Sequence, residues 1–473
     1  MQNSQAAKVT APSPAQHEAA LDPSGTGRAG GESQYLDLFR SERALIDAHS
    51  QPELNACRDE AAATFERLGF PTRKVERYRY TDVAAAFAPN YGLNLSRLRI
   101  PANPYEAFRC DVPNLSTSVY FVVNDQLYKE ALPKAKLPEG VIVDSQVRSA
   151  RLDGQPSALA QDPISALNAM LGQDGLLIYI PAGVRVERPI QVVNILRSAV
   201  PLMVNRRVQI IAEAGAEVQL LFCDHAADDQ DFLATQVVDV QVGEGAHVEV
   251  YELEETHARC RRFSNLTADV AAGGHLTHAT LTLTCGITRN QTDVILSGKG
   301  ATVNLYGCAI TDGQQHVDNN TLIDHRAPGC QSRELYKYVV DEQSIGAFAG
   351  RVLVREEAQQ TESQETNANL VCTPEARMYT QPMLEIYADD VQCSHGSTVG
   401  QLNDDALFYM RQRGISEAEA RLLLKQAFAS EVINQIALVP LRDHLHYLID
   451  KRFRGELSHC TSCRMCGKGK EEM

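Results

Sequence analysis

Cys393 and His395 stand two residues apart in EIYADDVQCSHGSTVGQLNDDALFYMRQRG, residues 385–414. In an extended segment residues i and i+2 point to the same side. A thiol and an imidazole therefore share one surface there, and Ser394 points away. A thiolate and an imidazole so placed make half of a soft-metal site. The remaining ligands must come from elsewhere in the chain or from another chain. The competing reading is a buried cysteine beside a capping histidine at a domain junction.

A second group closes the sequence. His459-Cys460-Thr461-Ser462-Cys463-Arg464-Met465-Cys466 carries cysteines at C-x-x-C-x-x-C spacing. Three thiolates, with His459 or an outside group as the fourth ligand, suit zinc or an iron–sulfur cluster. A flexible tail with reactive thiols fits the same residues. Two histidine-bearing stretches carry less chemistry. In HVEVYELEETH, His247 and Glu249 alternate with Val248 and Val250, which reads as a solvated strand face. His444 and His446 are two apart on a helix, so they do not share a face.

The elements that position Cys393 and His395 follow from composition and periodicity. The chain has 473 residues, a 44% hydrophobic fraction and a formal net charge of −15. That acidity argues against nucleic acid or anionic lipid as a partner. No apolar run approaches a membrane span, and the N-terminus has no secretory pattern. A cytoplasmic chain with reduced thiols follows for the 12 cysteines. Cys223, Cys285, Cys308 and Cys330 read as small buried hydrophobes.

Residues 1–32, rich in Ala, Ser, Pro and Gly, read as a disordered tail. Helical spacing marks 34–50 and 53–68, with Pro52 at a first turn and Gly69 at a stop. GFPTRKVERYRYTDV, 69–83, reads as an amphipathic loop bridging two domains rather than a basic binding patch, and 33–160 forms a helical and α/β lead-in. From about 175 the pattern is β: LLIYIPAGVRVERPIQVVNIL gives two short strands. A glycine-bearing turn followed by alternating residues then recurs, in AEAGAEVQLL, VGEGAHVEVYEL, AAGGHLTHATL and SGKGATVNLYG. The aligned glycines are Gly215, Gly245, Gly274 and Gly300. A period near ~28 residues accommodates two strands and two turns. Stacked coils bury Val218 and Leu220, Val248 and Val250, and Val303 and Leu305. The expected fold is mainly β, a parallel β-helix over 161–400, flanked by N-terminal and C-terminal α-helical segments. Its end edges need covering, and the flanking helices are candidates to pack there. Over 401–455, Asn403 or Asp404, then Ser416 with Glu419, start helices. Gly414 and Gly455 stop them, and 456–473 is the cysteine-rich tail.

Two stretches carry a family resemblance. PTRKVERYRYTDV resembles the N-terminal signature of the SufD family of iron–sulfur cluster assembly proteins. RVLVREEAQQTESQETNANLVCTPEARMYTQPMLEIYADDVQCSHGSTVGQLNDDALFYMRQRGIS resembles its C-terminal signature. The resemblance covers roughly 34–455 and implies a right-handed parallel β-helix. It implies a non-catalytic scaffold in a cytosolic complex with a SufB-like scaffold protein and a SufC-like ABC ATPase bound through the C-terminal helices. It further implies a transient iron–sulfur cluster shared with the partner, with the family histidine at His395 and the adjacent cysteine at Cys393. Alone, such a chain can form a homodimer. Tyr78 stands where the family usually has tryptophan, and Cys460, Cys463 and Cys466 lie outside the family pattern. The alternative, a β-helix polysaccharide-processing enzyme, normally requires export and an exposed Asp and Lys or Arg cluster.

Overall fold

The structure is a computed structural model that describes residues 31–100, 112–133, 136–145 and 162–457. The candidate tail ligands Cys460, Cys463 and Cys466 lie outside the described residues, as do residues 1–30 of the N-terminal tail.

From Leu176–Ile180 to Val391–Gly400, successive strands alternate between two sheets, one of ten strands and one of nine. Each strand pairs in parallel with the strand two places on, so the chain winds as a parallel β-solenoid of about 8 turns. Alternation in the sequence becomes an inside and an outside. Val218, Val248, Leu276 and Val303 stack in register along the ten-stranded sheet and are buried in the central core. Leu220, Val250 and Leu305 line the next inward column, with His278 between Val250 and Leu305.

One corner of every coil is built alike. Gly183, Gly215, Gly245, Gly273, Gly300, Gly329 and Gln360 all have positive φ, between 60° and 69°. Glycine is favoured there because a Cβ resists this left-handed backbone. The N–H of each donates to a carbonyl of the next coil, Gly215 to Glu244 and Gly300 to Pro328 for example, so the turns form their own ladder. The left-handed residue of the third motif is Gly273 rather than Gly274. Gly307 answers a different need. A Cβ there would fall 2.1 Å from Cδ1 of Tyr336, its partner on the next coil.

Five helices coat the broad faces of the solenoid rather than its ends. Ser33–Ala48, Arg58–Leu68 and Pro163–Leu171 bury their apolar sides on Met203, Leu233 and Phe263 of the nine-stranded sheet. Asp162 caps the last of these helices by accepting from the Ile164 and Ser165 N–H groups, and the Tyr78 hydroxyl donates to the same carboxylate. Glu417–Ile433 and Val439–Phe453 cover Leu221, Tyr251, Leu281, Tyr306 and Leu335 on the outside of the ten-stranded sheet. The expectation that helices pack on the solenoid end is therefore corrected. These strands carry apolar residues on both faces, and the outward set provides more area to bury than the last edge does. Ser416 and Asn403 cap their helices as the sequence predicts. The stretch 69–83, expected as a loop bridging two domains, packs on the solenoid instead. It straps the outer face of the nine-stranded sheet, with Arg77 paired to Asp293 and the Thr81 hydroxyl donated to Asp318 at 2.6 Å.

Candidate functional site

The strand Val391–Gly400 is the last of the ten-stranded sheet and pairs with Thr361–Val371 on one side only. Its inward positions are Val391, Cys393, His395, Ser397 and Val399, because their register partners Thr361, Ser363, Glu365, Asn367 and Asn369 are buried. Cys393 and His395 thus face into the open end of the solenoid together, as their spacing predicts. Cys393 is half-buried against the cluster of Val352, Val354, Ala358 and Ala388. Burial pushes its thiol up, opposed by the Ser363 backbone. His395 is exposed.

Directly beneath His395 the sequence places something the spacing of a single strand does not reveal. One inward column runs His278, Leu305, Glu334, Glu365 and His395, each on the coil above the last. Glu334 and Glu365 are almost completely buried, and the Oε1 of Glu334 and both oxygens of Glu365 have no hydrogen-bond partner. Desolvation pushes Glu365 up to about 8 and Glu334 well above the usual range, where the neighbouring Glu365 charge adds to the effect. The signal would have been the coil length at this point, which varies from turn to turn. Glu365 precedes His395 by 30 residues, one coil length, and is its register partner.

Deeper in the solenoid buried charges form ion pairs. Arg262 donates to Glu252 at 2.7 Å, and Arg206 bonds Asp224. Glu252 is buried, which works to raise its pKa. The Arg262 charge and His278 outweigh that and hold it down at about 2. Two residues on, Glu254 goes up to about 7 through burial and the nearby Asp224, against Arg262 and the hydroxyls of Thr288 and Thr256.

Among the described residues no three His, Cys, Asp or Glu side chains converge so as to hold a metal ion. Cys393 and His395 stand there as a pair, with no third such side chain placed to complete a metal site among the described residues. All eight described cysteines are free thiols. Cys223, Cys285, Cys308 and Cys330 are buried as expected, and burial raises the thiol of Cys308 to about 12. Glu249 departs from expectation. It is buried and accepts from the Tyr251 hydroxyl at 2.6 Å and from Gln219 Nε2 at 2.8 Å, while His247 stays partly exposed beside it.

An open final strand that presents a thiol and an imidazole is the geometry on which the comparisons bear. Residues 195–428 match the model of the SufBD core domain of the SUF system for FeS cluster assembly, and residues 29–192 match the SufBD N-terminal region. The chain belongs to the SufBD family. It is 29% identical over 430 residues to the iron–sulfur cluster assembly protein SufD of Escherichia coli, covering 89% of this chain and 96% of that protein. A SufBD family protein of Synechocystis is 27% identical over 446 residues, covering 89% and 94% of the two chains. One from Mycobacterium leprae is 37% identical over 178 residues, 36% of this chain and 45% of that one. This SufBD chain is accordingly a SufD-like protein of iron–sulfur cluster assembly. Among its described residues no helix is long and apolar enough to cross a membrane.

Proposed function

We propose that this chain is a non-catalytic, cytoplasmic scaffold subunit that completes a cluster-building site when its open coil docks against a SufB-like chain. The observation that carries this reading is the placement of Cys393 and His395 on the inward face of an unpaired last strand. Iron and sulfide are the cargo. The half-site offers them one soft and one borderline ligand, and the partner's thiolate supplies the rest. A burial-raised Cys393 thiol stays protonated until a cation or partner charge draws the proton off. Exposed apolar side chains support docking at the same end. Among the described residues, Tyr379, Ile386, Tyr387, Val399, Phe408 and Tyr409 are six of the twelve large hydrophobics that stand exposed, and all fall within 379–409.

The C-terminal helices are the surface offered to a SufC-like ATPase, with Leu423, Val439 and Tyr447 exposed on them. Lys425 pairs with Asp341 at 2.7 Å and Arg452 with Asp312 at 2.6 Å. Force applied to these helices by nucleotide-driven closure would reach the ten-stranded sheet that ends in Cys393 and His395. In the absence of a SufB-like partner, a second copy of this chain can occupy the open edge.

The test is His395→Ala in a reconstitution with SufB-like and SufC-like partners, iron and a sulfide source. The complex is expected to assemble normally on size-exclusion chromatography while the cluster absorbance is lost. A wild-type cluster yield from the variant would overturn the reading.

A further inference from the structure

A cleft of about 650 Å³ runs between the outer face of the nine-stranded sheet and the segment 73–86. Its floor is one register column at the start of five neighbouring strands: Arg261, Ile287, His316, Ile345 and Arg377. Four strand spacings separate the two floor arginines, about 19 Å along the solenoid. Arg73 and Arg79 come from the opposite wall. Asp82 is the only acidic residue in the lining, and its Oδ1 is already used to accept the Ala85 N–H at 3.0 Å.

Three guanidiniums without an ion pair among the described residues, beside Arg261 paired to Asp231 at 3.8 Å, are out of character for a chain of net charge −15. Arg73, Arg79 and Arg377 form no ion pair among the described residues. Arg261 Nη1 is buried without a hydrogen bond, 3.8 Å from Asp231 Oδ1. Burial lowers the His316 pKa, with nearby Arg73 adding to it and Asp318 opposing. The walls are fixed before any ligand arrives. The Tyr80 and Tyr379 rings stack at 4.9 Å, the Tyr80 hydroxyl donates to Gln381 at 3.0 Å, and Arg289 donates to the Arg77 carbonyl at 2.6 Å. A preformed concave site with unpaired cations concentrates anions. Guanidinium forks match phosphate oxygens in pairs, and the volume is that of an ordinary small-molecule site.

We propose that this cleft binds a small molecule carrying two or more phosphate groups. The proposal goes beyond cluster assembly and uses neither Cys393 nor His395.

Calorimetric titration of the full chain at low salt tests it, with inorganic pyrophosphate, ADP and citrate as probes. Pyrophosphate should bind at one site and weaken as salt is raised. ADP should bind at least as well, and citrate at least about tenfold more weakly. The double variant Arg79→Ala/Arg377→Ala should weaken pyrophosphate at least about tenfold. Arg188→Ala/Arg333→Ala removes the same charge from exposed positions outside the cleft and should bind like the wild type. Circular-dichroism melting shows that each variant is folded. Absence of pyrophosphate binding, equal affinity in the cleft variant, equal loss in the control variant, or citrate binding as tight as pyrophosphate would each overturn the proposal.

Discussion

The two ends of the solenoid meet the same difficulty in opposite ways. A terminal strand leaves a row of backbone donors and acceptors without partners. At the N-terminal end the chain turns back on itself. Gln126–Leu127 lies antiparallel on Ser118–Val123, and Ile142–Ser145 lies antiparallel on Leu176–Ile180. These two changes of direction end both sheets, and the inward residues behind them, Tyr120, Val122, Ile178 and Ile180, are buried. At the C-terminal end no such reversal occurs. Arg377–Ile386 and Val391–Gly400 are the last strands of their sheets, and their inward residues remain half-buried or exposed. The end at which the chain turns back buries its inward residues, and the end it leaves open carries the thiol and the imidazole.

Equivalent changes at the two ends should therefore have opposite consequences. Ile178 is 0% exposed and Val399 is 51% exposed, although both face inward. Ile178→Lys buries a charge without a partner and should cost about 4 kcal/mol or more, enough to prevent soluble expression. Val399→Lys should change stability by no more than about 0.5 kcal/mol in denaturant titration, yet lower affinity for a SufB-like partner at least about tenfold. Equal destabilisation by both would erase the distinction between the ends.

The sealed interior should also show itself in pH. Glu254 has a folded pKa of about 7, against an ordinary value of 4.5. Between those values the folded chain holds a proton that the unfolded chain has released, so stability falls as pH rises from 4.5 to 7. Glu252, held at about 2, has the opposite slope, and its contribution is lost as pH falls below 4.5. Glu254→Gln should flatten the decline between 4.5 and 7, an effect on the order of 3 kcal/mol, in urea midpoints measured across that range. Smaller still is a pair of methyl additions. Gly307→Ala drives a Cβ into the Tyr336 ring and should cost about 1–3 kcal/mol. At Gly396, on the open strand, a Cβ meets nothing within 4 Å, and Gly396→Ala should stay within about 0.5 kcal/mol.

The coil and its inside were legible because a strand alternates with period two. Val218, Val248 and Val303 sit where that alternation put them. The pairing of Cys393 with His395 on one inward face was legible for the same reason. What lay out of reach was contact between coils. Glu334 and Glu365 come beneath His395 only once the coil length at that point is known, and coil lengths here vary from turn to turn. The placement of Gly274 in the turn instead of Gly273 is a one-residue error of that kind. The helices were legible as helices, but their resting place was not. Which surface they cover depends on outward residues such as Leu221, Leu281 and Leu335, which resemble inward ones in type. The cleft was equally hidden, since Arg79 and Arg377 stand nearly 300 residues apart in the sequence.

The stacked left-handed corners make length a quantised property of this protein. Because Gly183, Gly215, Gly245, Gly273, Gly300, Gly329 and Gln360 each bond to the coil that follows, one whole coil is the smallest insertion that leaves the corner column intact. Such an insertion carries the open C-terminal rim outward by one strand spacing, about 4.8 Å, and turns no side chain over. A single residue added within a strand exchanges core for solvent at every later position of that strand. Relatives of different length can thus keep the same working rim, provided they grow by complete turns.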